Sequence, residues 1–337
     1  MNDHVTLQDI ARAANVSVST VSRALSNSPV VTEKTRIRIQ NLAQTMRYTP
    51  NIMARSLVKS TSNTIGMVIP DIMNPFFPEV AKGVEAYANQ HGFNVLLCNS
   101  NQDIEKEKRY VENLFSLRVV GITIMPVTER LEHIFLRYPP DSNIAFLSYI
   151  PEALGCSGVE VDDVKSGYLA TRHLVELGHQ DIAFVGGGEN SQITFRRHSG
   201  YEQALQEANI EPMTPGDGGE SDLAEFGFNP GDLVFERRPL PTAIVAYNDV
   251  TALRVIETAG RRGILVPRDL SVVGIDDIYL SRLWQIQLTT VAQDKYRIGE
   301  WCARIVIDRF RDPETHRETV RKTCNPRLVV RNTTRAI

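Results

Sequence analysis

The residues best placed to do chemistry stand directly behind short apolar runs. Arg197 lies in "RRHSGY" after "AFVGGGENS", Asn248 and Asp249 follow "TAIVAY", and Asp276 and Asp277 follow "SVVGI". Amides and carboxylates converging on a cleft can each accept or share hydroxyl hydrogen bonds, so this set suits a polyhydroxylated ligand. Phe76 and Phe77 in "NPFFPE" sit beside a helix start, where an aromatic face can stack on a sugar ring or planar base; a Phe pair is more often core.

The same residues argue against catalysis. Asp162 and Asp163, or Asp276 and Asp277, have the composition of a metal site or an acid and base pair. Neighbours in an extended chain point to opposite faces, however, and do not share a site. "VGGGENS" puts G-x-G behind an apolar run but lacks the third glycine, and no acidic residue ends the next strand at the distance a dinucleotide loop needs. Cys98, Cys156, Cys302 and Cys324 are far apart with no C-x-x-C, which suggests neither zinc nor a disulfide framework. The expectation is no enzyme activity, no cofactor and no metal, with a sugar-processing enzyme as the remote alternative.

A second constellation is N-terminal. Between Ser17 and Leu25, Val21 and Leu25 fall on one side of a helix, and Val18, Ser19, Ser22 and Arg23 fall on the other. Short side chains let a backbone approach a major groove, hydroxyls bind phosphates, and Arg can read the O6 and N7 of guanine. A capped surface helix of any bundle has the same pattern. Charge bears on the choice: residues 1 to 60 hold eight Lys/Arg against three Asp/Glu, and the remainder holds 29 against 37. A basic segment ahead of an acidic body is what binding of a polyanion by one domain would produce.

These groups need elements to hold them. Thr6 can cap a helix with Asp9 at its third position and Leu7, Ile10, Ala11 and Ala14 along one face. Asn15 and Val16 leave only a tight turn before Ser17 opens the second helix, and Thr32 caps a third with the stripe Ile39, Leu42, Ala43 and Met46. That makes a three-helix unit with a helix-turn-helix at its front. "NIMARSLVKS" then carries Met53, Ala54 and Leu57 at helical spacing, yet is shorter than the roughly 12 to 15 residues an isolated helix needs in water.

From residue 62, "TIGMVIP", "NVLLCN", "VGITIMP", "NIAFLSY", "DIAFVGG", "TAIVAY" and "LSVVGID" alternate with helical stretches, which predicts parallel sheets covered on both faces. Seven units exceed one small sheet, and "GVEVDD" breaks the rhythm, so two similar lobes are expected, with a ligand between them at the carboxyl ends of the strands. The length of 337 residues, with 42% apolar and 23% charged, suits about two domains. No apolar run approaches the ~18 residues of a membrane span, and "MNDHVTLQDI" has neither a basic n-region nor an apolar h-region, so a cytoplasmic protein without membrane contact is expected.

Three segments carry a resemblance. "DIARAANVSVSTVSRALS", "VTEKTRIRI" and "RYTPNIMARSL", in this order and at these separations, resemble the DNA-binding head of the lactose-repressor (LacI/GalR) family of bacterial transcription regulators. From "IGMVIPDIMNPFFPEVAKGVE" to "NPRLVVRNTT" the chain is similar to that family's periplasmic-binding-protein-like body, so the resemblance covers essentially the whole chain. It implies an all-α helix-turn-helix head plus an α/β body of two doubly wound parallel-sheet lobes. The head would take residues 1 to 49 and a hinge helix and linker 50 to 61. The N-lobe would take 62 to 160 and 292 to 323, and the C-lobe 161 to 291 and 324 to 337.

The resemblance also implies roles. Val18, Ser19 and Arg23 would touch base edges, Thr20, Ser22 and Asn27 would touch phosphates, and Thr6, Ser17, Tyr48, Asn51 and Lys59 would complete the DNA-binding set. Val18 offers no hydrogen bond, so it can at most contact a thymine methyl. The hinge helix would pair with its twin across a dimer and push Leu57 into a base step from the minor groove, with Ala54 letting it sit close. Val58 departs from the Lys that some members place after the wedge, a contact that Lys59 only partly replaces.

In the body, Phe76, Phe77, Ser148, Ile193, Arg197, Asn248 and Asp276 would form the effector site, with Arg197 gripping hydroxyl or carboxylate groups bidentately. Ser148 stands where sugar-binding members often have Asp, so a smaller sugar, a sugar phosphate and a non-sugar stay open. The implied function is a homodimeric, effector-responsive regulator of carbohydrate or related metabolic genes that binds a pseudo-palindromic operator. A repressor is expected, with an activator or dual regulator as the alternative. "RNTTRAI" lacks the leucine-repeat tail by which the lactose repressor forms tetramers, which favours a dimer.

Overall fold

In a computed structural model of the protein, the described residues are 5–48, 62–128, 131–139, 142–147, 154–187, 191–213, 234–235, 239–315 and 318–337. The chain forms two compact units, Met1–Ser62 and Asn63–Ile337.

The head contains α1 (Leu7–Ala14), α2 (Val18–Leu25) and α3 (Glu33–Thr45). A full capping box opens α1: Asp9 N donates to Thr6 Oγ1 at 3.3 Å, and Thr6 N donates to Asp9 Oδ2 at 2.9 Å. Asn15 ends it in the left-handed region at φ 49°, one of the few non-glycine types that tolerates this, and so makes the sharp turn into α2. Ser17 Oγ then accepts from Thr20 N at 3.1 Å. Thr32 precedes α3 but its side chain does not cap it; the hydroxyl donates instead to Thr35 Oγ1 at 3.0 Å. Ile10, Val21, Ala24 and Ile39 are fully buried and hold the three helices together.

The body runs β1 (Thr64–Ile69), α4 (Phe76–Gln90), β2 (Asn94–Asn99), α5 (Ile104–Ser116), β3 (Gly121–Ile124), α6 (Glu132–Phe135), β4 (Ile144–Phe146) and β5 (Ser157–Val161). It continues through α7 (Asp163–Glu176), β6 (Ile182–Val185), α8 (Gln192–Glu207), β7 (Ala243–Ala246), α9 (Asp249–Arg261) and β8 (Ser271–Asp276). A 3-10 turn (Tyr279–Arg282), β9 (Thr289–Ala292), α10 (Lys295–Arg311), β10 (Arg321–Cys324) and β11 (Arg327–Val329) complete it.

The strands form two sheets, ordered β10-β5-β4-β3-β1-β2 and β11-β9-β8-β7-β6. The chain therefore passes between lobes three times: after β5, after β9, and between β10 and β11. In β1, Ile65, Met67 and Ile69 pack under α4 and α10, while Val68 faces α5, because alternate residues of a strand point to opposite faces. Each fully buried aliphatic side chain of this kind contributes about 1.5–3 kcal/mol. The second sheet is covered in the same way, by α9 on one face and by α7 and α8 on the other.

Two expectations need correction. "GVEV" does not interrupt the strand rhythm: Ser157–Val161 is β5, paired in parallel with β4 and β10. Its partner β10 comes from 163 residues further along the chain, Arg321 standing against Gly158, so that pairing has no local signal. The second sheet is also not wholly parallel, because β11 returns antiparallel to β9.

Candidate functional site

The strands of both sheets end at one cleft between the lobes, partly open to solvent. Its first-lobe wall is mostly apolar, with Phe76, Phe77, Met125, Leu147, Val159, Val161 and Ile298, and Asn74 as its polar member. The second-lobe wall is polar, with Asp163, Arg197, Tyr247, Asn248 and Asp276, joined by Ile193 and by Gln293 from the crossover after β9.

The polar wall is built around a close helix pair. A β-carbon on Gly167 in α7 would lie 1.8 Å from the carbonyl oxygen of Arg197, and one on Gly200 in α8 would lie 1.9 Å from that of Val164. The two glycines let α7 and α8 touch by their backbones, which sets Arg197 against Asp163. Arg197 Nε donates to Asp163 Oδ1 at 2.8 Å, Nη1 donates to the Tyr247 carbonyl at 2.6 Å, and Nη2 lies 3.7 Å from Asp276 Oδ1. The guanidinium also sits 4.9 Å from the Tyr247 ring centre.

Burial acts on every charge here. It disfavours the Arg197 cation, but Asp163 and Asp276 outweigh it and hold the guanidinium above its ordinary range, so Arg197 stays charged. Burial raises the Asp163 carboxyl against the pull of Arg197. Asp276 is pushed up to about 7, first by burial and then by Asp249 and Asp163, against Arg197 and Lys295. Near neutral pH the cluster therefore offers a carboxyl that can either donate or accept a hydrogen bond.

The expected effector residues come together with two qualifications. Phe77 lines the cleft but is buried in the first-lobe core, edge-on to the half-buried Phe76 at 5.3 Å between ring centres. Asn248 caps α9 by accepting from Thr251 N at 2.8 Å, which leaves its amide N–H groups for a ligand. Ser148 lies outside the described residues. Asp249, beside Asn248, does not reach the cleft: it accepts from Ile278 N at 2.9 Å and Ser281 Oγ at 2.6 Å and anchors the segment after β8. Asp277 turns away to Arg282 and Arg331.

Asp163, Tyr247 and Gln293 were not anticipated. Asp163 was set aside as one of an adjacent pair, yet Asp162 caps α7 and turns the next carboxylate inward. The available signal was Gly167, one helical turn after it. The glycine run behind β6 is explained by packing: Gly186 and Gly187 have φ of 94° and 88°, and a β-carbon on Gly187 would lie 2.4 Å from Thr194 Oγ1. Among the described residues, no group of three His, Cys, Asp or Glu could hold a metal, and no helix is long and apolar enough to cross a membrane.

On the head, Val18, Ser19, Ser22 and Arg23 form the exposed face of α2, opposite buried Val21 and Ala24. Ser17 Oγ lies 2.8 Å from the hydroxyls of both Ser19 and Thr20, so three hydroxyls cluster at the start of α2. Thr6 is engaged in its capping box, Asn27 accepts from Gln40 Nε2 at 3.0 Å, and Tyr48 packs at the edge of the head core. Asn51, Ala54, Leu57 and Lys59 lie outside the described residues.

A helix-turn-helix head on the same chain as a two-lobed body with a polar cleft at the strand ends defines a ligand-responsive DNA-binding regulator. Residues 6–51 match the family described as bacterial regulatory proteins, lacI family, and residues 171–334 match the periplasmic binding protein-like domain. The chain is 34% identical to the HTH-type transcriptional repressor PurR of Vibrio atlanticus, over 98% of this chain and 99% of that protein. It is 36% identical to the HTH-type transcriptional regulator DegA of Bacillus subtilis, over 98% of each. Among solved structures, the lac repressor dimer bound to operator and the anti-inducer ONPF matches with a TM-score of 0.82 and 26% identity, over 99% of this chain and 100% of that one. The transcriptional regulator CelR in complex with cellobiose matches with a TM-score of 0.70 and 25% identity, over 98% of this chain and 100% of that one. The chain belongs to the lacI family of bacterial regulatory proteins.

Proposed function

We propose that the chain acts in the cytoplasm as a homodimeric repressor whose affinity for a pseudo-palindromic operator is set by a small effector, without a catalytic step. The observation that carries the reading is the cleft, where Asp163, Arg197, Asn248 and Asp276 converge opposite Phe76. Such a wall supplies both donors and acceptors to a ligand with several hydroxyl or N–H groups on one edge, and the apolar wall favours a ligand with one less polar face.

In the head, Ser19 and Arg23, with Val18 against a thymine methyl, read base edges, and Ser17, Thr20, Ser22 and Asn27, with Thr6 and Tyr48, fix the backbone. Asn51, Ala54 and Lys59 support a hinge that places Leu57 as a minor-groove wedge. Dimerisation finds support in apolar side chains left in water on both lobes: Leu96 and Leu97 of β2, each 41% exposed, and Tyr279 and Trp284 near the 3-10 turn, 60% and 84% exposed.

The test uses duplex DNA recovered by in vitro selection with the full-length protein. Leu57→Ala should weaken binding to the selected sequence while salt-dependent binding to random duplex survives. Equal loss of both would refute the wedge. A thermal-shift panel of free sugars, sugar phosphates and nucleobases should stabilise the wild type and leave Arg197→Ala unmoved; stabilisation of both alike would remove the cleft from the reading.

A further inference from the structure

The acid and base pair of the second lobe has a counterpart in the first. In α7 and α8, Asp163 precedes Gly167 by four residues and Arg197 precedes Gly200 by three. In α4 and α10 the closest approach falls at Gly83 and Gly299, where added β-carbons would lie 2.0 Å from the carbonyl oxygens of Tyr296 and Val80. Glu79 precedes Gly83 by four residues and Lys295 precedes Gly299 by four. Lys295 Nζ lies 3.6 Å from Glu79 Oε2. Each lobe thus brings one acid and one base to the cleft end of a helix pair joined through glycines.

Both bases meet at Asp276. Arg197 approaches its carboxylate, and Lys295 Nζ donates to its carbonyl oxygen and, at 2.8 Å, to that of Asp277. Gln293 Nε2 donates to Asp276 Oδ1 at 3.1 Å. Asp276 and Asp277 have φ of 125° and 51°, two consecutive non-glycine residues in a region that L side chains rarely adopt. Such a conformation persists only where the surroundings over-determine it. Here the fastening is Lys295, 3% exposed, on the two carbonyls, with Arg282 and Arg331 on the Asp277 carboxylate. Lys295 opens α10 just past the crossover from the second lobe, and Glu79 lies in the first turn of α4, whose Phe76 and Phe77 form the facing wall.

We infer that Lys295 and Glu79 form a latch between the lobes. Lys295 is a positioning residue: it holds the strained Asp276-Asp277 turn and ties it through Glu79 to α4, so that a ligand engaging Asp276 is felt by the first lobe. The two-state element is the turn itself, which on losing Lys295 relaxes toward negative φ and carries its carboxylate away from the cleft. The inference rests on the reading of the cleft as the effector site and assigns the route by which occupancy leaves it.

The experiment uses the unliganded full-length protein, so its failure would leave the effector reading standing, whereas failure of that reading appears only on adding ligand. The titratable and charged groups that face Asp276 are Arg197 from α8, Asp163 from α7, Asp249 from α9, Lys295 from α10 and Tyr247 after β7. Carboxyl carbon NMR follows its titration, which in the wild type should centre at about 7. Lys295→Met removes a cation and should raise the midpoint; Glu79→Gln frees Lys295 from its anion and should lower it, each by about half a unit or more. Lys295→Met should also speed amide exchange roughly fivefold or more in both 274–282 and 76–83. Simple loosening would move both variants the same way. An unmoved midpoint in Glu79→Gln, or faster exchange confined to one lobe, would overturn the latch. If Lys295→Met fails to fold, the half-exposed Glu79→Gln decides alone.

Discussion

Gly167 and Arg197 touch through their backbones: a β-carbon on Gly167 would lie 1.8 Å from the Arg197 carbonyl oxygen. The obstacle is main chain in a packed helix, so it cannot step aside. Gly167→Ala should therefore push α7 and α8 apart and cost about 3 kcal/mol or more, beyond the usual range for overpacking. Urea unfolding should show the loss, and circular dichroism of the folded protein should stay near wild type.

The raised carboxyl of Asp276 makes stability fall with pH. Its folded value, about 7, lies above the ordinary 3.8, so the folded state binds more protons than the unfolded one in between. The stabilisation present at low pH is lost as pH rises through the folded value. Between pH 5.5 and 8 this one group accounts for roughly 2 kcal/mol. Asp276→Asn cannot titrate, so the drop in urea midpoint between those pH values should shrink, with Asp163 and Asp249, also raised by burial, supplying what remains.

On the head, Ser17→Ala removes the cap on α2 and should cost about 1 kcal/mol of head stability. Arg23→Ala should leave stability within about 0.5 kcal/mol, because the side chain is exposed. If Arg23 reads a guanine, its loss should relax selection at one base pair by about 1–3 kcal/mol while other positions keep theirs. Repeating the in vitro selection with the variant reads this directly.

Trp284→Glu places a charge on the most exposed apolar surface near the 3-10 turn, where the ring is 84% exposed. The folded protomer should be unaffected, since nothing is buried there. Sedimentation velocity at micromolar concentration should shift from dimer to monomer, and affinity for the selected operator should fall while single half-site binding remains. A variant that stays dimeric would place the interface elsewhere.

Much of this architecture was legible in local patterns. The Thr6 and Ser17 caps, the turn at Asn15 and the seven strand runs all formed where residue type and spacing placed them. The missed strands take their place from pairing: β5 lies between β4 and β10, and β9 between β8 and β11. Their runs are short, and in β10, "RKTC", mostly polar and exposed, so pairing rather than hydrophobic periodicity makes them strands.

The candidate site divides in the same way. Asn248 and Asp276 stand out in the sequence because each comes at the end of an apolar run, and that position at a strand end is a local property, whereas Arg197 lies inside α8. That Asp163 faces Arg197, that Asp249 turns from the cleft while its neighbour Asn248 stays, and that Lys295 holds the turn at Asp276 were decided only by the fold. The reason is physical. Caps, turns and periodicity act within a few residues, whereas burial, low dielectric and the meeting of charges from separate helices come into being only when those helices pack.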